Sequence, residues 1–219
     1  LLPMFAMDNT FKEVYGKDTW KLWEEWNAAE KERFKNFRIA GEKLTSTGWT
    51  IYSTVFENGK TYVMRSHTKK TTALGTRGYS EIVSVSEAGK EEVVVSDSVN
   101  LLLPVQFDSG KMYYGLYDIK QGFPNKWTSS YGLYTRLMKM NLSTGRAREV
   151  ASGDIRAFYV EEEGTLVIAE DLPRSYGSVV YRFDTLTEKK EELLRSDSLL
   201  VMELAKSADN KVFAIAKEK

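Results

Sequence analysis

The side chains that could carry chemistry are few. Cysteine is absent and there is one histidine, His67. The lack of cysteine excludes disulfides, thiolate zinc sites, iron–sulfur clusters and cysteine nucleophiles. One histidine cannot build the usual histidine-rich zinc centre, and it leaves a serine triad only one candidate base. His67 sits in a stretch rich in Thr and Lys, where it reads as a plain surface residue before it reads as a ligand. Glu161-Glu162-Glu163 falls at a hairpin turn and reads as solvated before it reads as a cation site. No two carboxylates are singled out by spacing as an acid–base pair. No catalytic residue, metal ligand or cofactor is therefore assigned, and enzymatic activity of this chain by itself is not the expectation.

What remains is recognition chemistry. Three stretches expected as long loops place aromatics beside charge. The first, 65–80, holds Arg65, His67, Arg77 and Tyr79. The second, 117–133, holds Asp118, Trp127 and Tyr131. The third, 169–178, holds Asp171, Arg174 and Tyr176. Such mixtures suit a protein, peptide or glycan partner. The plainer alternative is solvated loops whose aromatics pack locally.

The elements that would position these stretches form a repeat. Thr54–Met64, Pro104–Tyr114, Phe158–Ile168 and Leu204–Ile215 each read as strand, tight turn, strand. Asn58-Gly59, Ser109-Gly110 and Asp209-Asn210 suit turns that need positive φ. A second hairpin follows each of the first three, over 82–94, 137–150 and 179–194. The spacing from Gly59 to Gly110, Gly164 and Asn210 is about 50 residues, near the blade length of propeller repeats. Two hairpins per unit mean four-stranded blades, each with two faces that only neighbouring blades can cover. A Greek-key sandwich is the structural rival.

Phe107-Asp108-Ser109-Gly110-Lys111 and Asn141-Leu142-Ser143-Thr144-Gly145 carry the pattern most clearly. This pattern resembles the TolB-like and WD40-like propeller repeats of bacterial proteins over about residues 44–219. The resemblance implies a structural motif without fixed chemistry, and an extracytoplasmic setting, periplasmic or secreted. The third unit departs from it, lacking a glycine after Leu186-Thr187.

Residues 1–37 read differently, as helix. Thr10-Phe11-Lys12-Glu13 fits a capping box, Gly16 a helix end and Asp18 a second cap. Trp20, Trp23, Trp26, Phe34 and Phe37 then recur at helical spacing. That stripe is expected to bury against a neighbouring domain; the alternative is an exposed face for a partner. Phe11–Gly16 and Trp20–Trp26 look like the tail of a gluzincin metallopeptidase domain, but the His-Glu-x-x-His motif of that family does not occur, so no catalytic residue carries over.

The reading is a mainly β chain: helical segment 1–37, then over 38–219 a partial β-propeller of about three and a half four-stranded blades. A half blade leaves an open strand edge, so a fragment of a larger ring and self-association through open propeller edges are both expected. Residues near 38–50 could instead supply missing strands. Leu1-Leu2-Pro3-Met4-Phe5 resembles neither a natural start nor a signal peptide. Thirty-one basic and 31 acidic residues cancel, which gives no global field for nucleic acid. No apolar run approaches the roughly 18–20 residues of a membrane helix.

Overall fold

The structure, a computed structural model, describes residues 3–37, 49–72, 75–96, 98–117, 134–162, 164–173, 175–206 and 211–218. Side chains of 3–8 and 68–78 lie outside that description. The chain divides into two compact units, Leu1–Lys43 and Leu44–Lys219.

The first unit holds α1 (Pro3–Tyr15) and α2 (Thr19–Arg33). The predicted capping box at Thr10 does not start a helix. Helix α1 already runs from Pro3, because proline suits a first turn and Met4, Ala6 and Met7 favour helix. Gly16 ends α1 at φ +67°, its amide donating to the Lys12 carbonyl at 2.9 Å. The Asp18 carboxylate accepts the Lys21 amide at 2.9 Å and caps α2. The tryptophan stripe is not buried within the helical unit itself: α2 buries none of its residues there. Trp20 is 75% exposed, and Trp23 and Trp26 are 54% exposed. Trp23 and Trp26 spend part of their apolar area on each other, with ring centroids 4.9 Å apart.

The second unit is the expected partial β-propeller. Blade one is β1 (Thr50–Glu57), β2 (Lys60–Thr72), β3 (Gly75–Val85) and β4 (Glu91–Ser96). Blade two is β5 (Gln106–Asp108), β6 (Lys111–Tyr117), β7 (Thr135–Asn141) and β8 (Ala147–Gly153). Blade three is β9 (Ile155–Glu162), β10 (Thr165–Asp171), β11 (Ser178–Asp184) and β12 (Lys190–Ser196). A two-stranded sheet follows, β13 (Leu199–Lys206) and β14 (Val212–Glu218). Every sheet is an antiparallel meander in chain order. Among the described residues β14 pairs with β13 alone.

The second strands explain the packing. In β6, Met112 and Tyr114 join Tyr62, Met64 and Ile82 of blade one in one cluster. Tyr113, between them, joins Phe158, Leu166 and Ile168 of blade three in another. In β10, Leu166 and Ile168 face blade two, while Val167 and Ala169 face Val201 and Leu204 of β13. A strand covered on both faces needs apolar residues at successive positions, which is how Lys111–Tyr117 and Thr165–Asp171 read. Each fully buried Leu, Ile or Val contributes about 1.5–3 kcal/mol relative to exposure. Of the fourth strands β12 is largely exposed, while β4 and β8 are half exposed, with Val95 in one core cluster and Val150 and Ala151 packed against another.

Two of the expected long loops are shorter than the sequence suggests. Residues 65–80 are mostly strand: β2 and β3 stay paired out to Thr72 and Gly75. Thr68, Thr71 and Thr72 are β-branched, and they extend the ladder where their polarity suggests loop. In blade three, pairing persists to Asp171 and Ser178, leaving 172–177 as the connection. Residues 118–133 lie outside the described residues.

The turns follow the expected chemistry. Asn58 and Gly59 take φ 51° and 74°, Ser109 and Gly110 take 49° and 74°. Asp209-Asn210 lies outside the described residues. In the outer turn of blade two, Asn141 Oδ1 accepts the Ser143 and Thr144 amides and Gly145 closes the turn at φ 66°. In blade three Asp184 Oδ1 accepts the Leu186 and Thr187 amides, and Glu188 adopts φ 59° where the other turn has glycine. The left-handed conformation costs a non-glycine residue about 1–2 kcal/mol. Glu188→Gly should therefore stabilise the protein by about 1 kcal/mol, read as a raised midpoint in urea unfolding. A lowered midpoint would contradict this account of the turn.

Candidate functional site

The first strands of all four sheets border one groove of about 430 Å3. Its walls include Tyr52 and Ser53 of β1, Leu102, Pro104 and Gln106 at the start of blade two, Arg156 of β9, and Met202 and Glu203 of β13. Three of these strands reach it through the same device. Pairing of β1 with β2 skips Tyr52, pairing of β9 with β10 skips Arg156, and pairing of β13 with β14 skips Met202. Each is a bulge, which kinks the strand and re-aims the extra side chain. The consequence shows in the core. Ile155 and Phe158 share one cluster although they are three residues apart, as do Val201 and Leu204. In an unbroken strand such residues face opposite sides.

The polar groups of the groove are held from behind. Arg156 Nε and Nη2 donate to Asp171 Oδ1 and Oδ2 at 2.8 and 2.6 Å, and the Asp171 carboxylate is almost fully buried. The Asp171 hydrogen bond is the main reason the Arg156 pKa is raised; burial opposes it and the Asp171 charge adds to it. Tyr176 lies close enough to act on Arg156 electrostatically. Gln106 bridges blades: its Nε2 donates to the Phe158 carbonyl at 2.8 Å, and its Oε1 accepts the Val160 amide at 2.9 Å. These are ladder groups on the unpaired edge of β9, so the side chain replaces a missing strand. Ser53 Oγ is buried without a hydrogen-bond partner among the described residues.

The residues singled out in the sequence are divided by the structure. Asp171 and Tyr176 belong with Arg156 at the groove. Arg65, His67 and Tyr79 come together elsewhere, on the face of blade one turned away from blade two. There the cross-strand pairs Val63–Val83, Arg65–Glu81 and His67–Tyr79 stand in a row. Arg65 Nη2 lies 2.8 Å from Glu81 Oε1 and Nη1 lies 2.8 Å from Glu91 Oε2. Trp49 covers the row: Arg65 Cζ is 4.1 Å from its ring centre and the His67 ring 4.3 Å. Tyr79 lies 5.8 Å from His67. A buried charge pair of this kind is costly to break and does not by itself form a binding surface. Arg77 stands opposite Lys69 on β3, its side chain outside the description. Asp118, Trp127, Tyr131 and Arg174 lie outside the described residues.

Tyr52, Arg156, Met202 and Glu203 went unmarked in the sequence. A bulge has no turn residue to announce it. Its one trace is the slip in apolar alternation at Ile155–Phe158 and Val201–Leu204, legible once the two faces are known.

Behind the groove, Tyr181 donates its hydroxyl to the Glu170 carboxylate. Lys190 Nζ stands 4.1 Å from the Tyr181 ring centre and 3.5 Å from Glu170 Oε1. Burial, then the Glu170 hydrogen bond and charge, raises the Tyr181 pKa far above the ordinary tyrosine range. Burial is also the leading cause of the raised values of Tyr62, Tyr114 and Tyr117.

No known sequence family and no curated protein matches this sequence. Among solved structures the chain is similar to oligogalacturonate lyase in complex with manganese, at 13% identity and TM-score 0.51, over 77% of this chain and 48% of that one. It is similar to the acylaminoacyl peptidase of Pyrococcus horikoshii at 11% identity and TM-score 0.50, over 69% and 26%. TolB from Acinetobacter baumannii matches more loosely, at 13% identity and TM-score 0.41, over 71% and 38%. The chain thus spans about half the length, or less, of these structures. They are β-propeller proteins, and the likeness shows the fold alone.

The four tyrosines with raised values give a pH dependence with a definite sign. Each folded phenol holds its proton more tightly than the unfolded chain does. That stability is fully present below about pH 10 and is lost as pH rises through the folded values. The share of tyrosinate absorbance that belongs to these four should therefore appear only together with loss of the β circular dichroism signal, above about pH 10. Tyr181→Phe should move that alkaline midpoint upward. Complete tyrosinate formation in a protein with an intact β signal would contradict the assignment.

Proposed function

We propose that this chain is a non-catalytic β-propeller module that binds protein or peptide segments in the groove formed by its first strands. In this proposal residues 38–219 are the binding module and 1–37 a separate helical segment. The observation that carries the reading is the repeated bulge. In three sheets the first strand skips one residue beside the groove, and these residues, Tyr52, Arg156 and Met202, all border it; the remaining register shifts lie in other strand pairings and at the far end of β9. Bulges are concentrated beside functional sites for this reason.

The groove chemistry suits an extended peptide. Tyr52 is 50% exposed, Leu102 68% and Met202 41%, an apolar lining without a covering side chain. Aromatic and methionine side chains of this kind anchor interfaces and adapt to varied partners. Arg156 is pre-oriented by Asp171, so little rotamer entropy is lost when it meets a ligand carbonyl. Should the propeller belong to a larger peptidase, the same groove would select peptides for it; the chain itself carries no His-Glu-x-x-His sequence and is not expected to hydrolyse them.

A random-peptide selection against the 219-residue chain tests this reading. Tyr52→Ala combined with Met202→Ala should weaken the selected peptides about tenfold, with the melting temperature little changed because both side chains are already exposed. Full-strength binding by the double variant would move the site away from the groove.

A further inference from the structure

Among the described residues, one charge lining the groove has no partner. Arg156 is neutralised by Asp171 through two hydrogen bonds. Gln106 is neutral and occupied by the β9 backbone. Glu203 lines the groove, is exposed, and has no hydrogen bond or ion pair among the described residues. It follows the Met202 bulge directly, so the β13 kink that brings the thioether to the groove brings this carboxylate with it. Tyr52 borders the same groove and offers an exposed aromatic face. Carboxylate and aromatic face both attract cations, one by charge and the other through the ring quadrupole.

We infer that the groove selects peptides carrying a basic side chain, lysine or arginine, with Glu203 as the counter-charge and Tyr52 and Met202 flanking its aliphatic stem. This rests on the peptide-binding reading above and adds its specificity. An acidic side chain in the same place would meet the Glu203 carboxylate with no cation between them, Arg156 being already committed to Asp171. The groove thus discriminates by repulsion as well as attraction. Lysine and arginine both combine a long apolar stem with a charged head, which matches a lining of methionine, leucine and tyrosine around one carboxylate.

The test uses fluorescent peptide pools of matched length, with random flanks around a central Lys, Ala or Glu, titrated against the 219-residue chain by anisotropy. The Lys pool should bind about tenfold more tightly than the Ala pool, and the Glu pool more weakly than both. The Lys preference should shrink as salt rises. Glu203→Gln should abolish the preference while leaving the affinity of the Ala pool in place. Glu203→Lys should reverse it in favour of the Glu pool. Equal binding of the three pools, or a Lys preference that survives Glu203→Gln, overturns this inference and leaves the peptide-binding reading standing. Absence of binding by every pool overturns both.

Discussion

Blades two and three each have two apolar faces, and the rest of the architecture follows from that constraint. A sheet with one apolar face can stand against solvent; a sheet with two cannot. Tyr113 faces blade three while its neighbours Met112 and Tyr114 face blade one, so blade two is stable only between them. Blade three is held likewise, by Leu166 and Ile168 on one side and Val167 and Ala169 on the other. Stacking sheets this way turns the first strands towards one groove and leaves the fourth strands at the outer edges of the sheets. A groove bordered by first strands is then a by-product of packing, before any selection for binding. The bulges in β9 and β13 serve that packing by setting Ile155 with Phe158 and Val201 with Leu204, and with the bulge in β1 they also bring Arg156, Met202 and Tyr52 to the groove.

The fold was legible because its signals are local and repeated. Asn58-Gly59 and Ser109-Gly110 announce tight turns by the need for positive φ, and Asn141 and Asp184 announce outer turns by side-chain capping of the backbone. Four such hairpins at a steady period leave few architectures. Where the signals are compositional, the reading slipped. Thr68–Thr72 looks like a loop by polarity, yet threonine suits a strand, and the ladder continues to Thr72 and Gly75. The tryptophan stripe of α2 finds no cover within its own helical unit, where Trp23 and Trp26 pack on each other.

The candidate site was less legible for a physical reason. Charge beside aromatics marks Arg65, His67 and Tyr79 as readily as it marks a binding surface. Whether such residues bind a ligand or each other depends on cross-strand register, which sequence does not supply. In register, Arg65 meets Glu81 and His67 meets Tyr79, and the group satisfies itself. Asp171 was found for its charge, but its part is to hold Arg156, which nothing in the local sequence distinguishes from other strand arginines. Arg182, on the neighbouring strand β11, is likewise paired, with Glu161 and Glu191, and does not border the groove.

Among the described residues the fourth sheet has two strands, and its share of the groove is set by the first of them. Strand β13 is fixed to blade three at both ends: the Val201 amide donates to Ser178 Oγ at 3.0 Å, and Lys206 Nζ reaches the Glu161 carbonyl at 3.5 Å. Between these points Val201 and Leu204 pack against Ala157, Val167, Ala169 and Val180. The bulge lies inside this anchored span, so Met202 and Glu203 are positioned by blade three. Strand β14 adds ladder hydrogen bonds from the other side but little of the buried apolar area, with Phe213 and Ile215 exposed. Strand β13 is thus set by blade three as much as by its own partner strand, and the groove residues Met202 and Glu203 inherit that support.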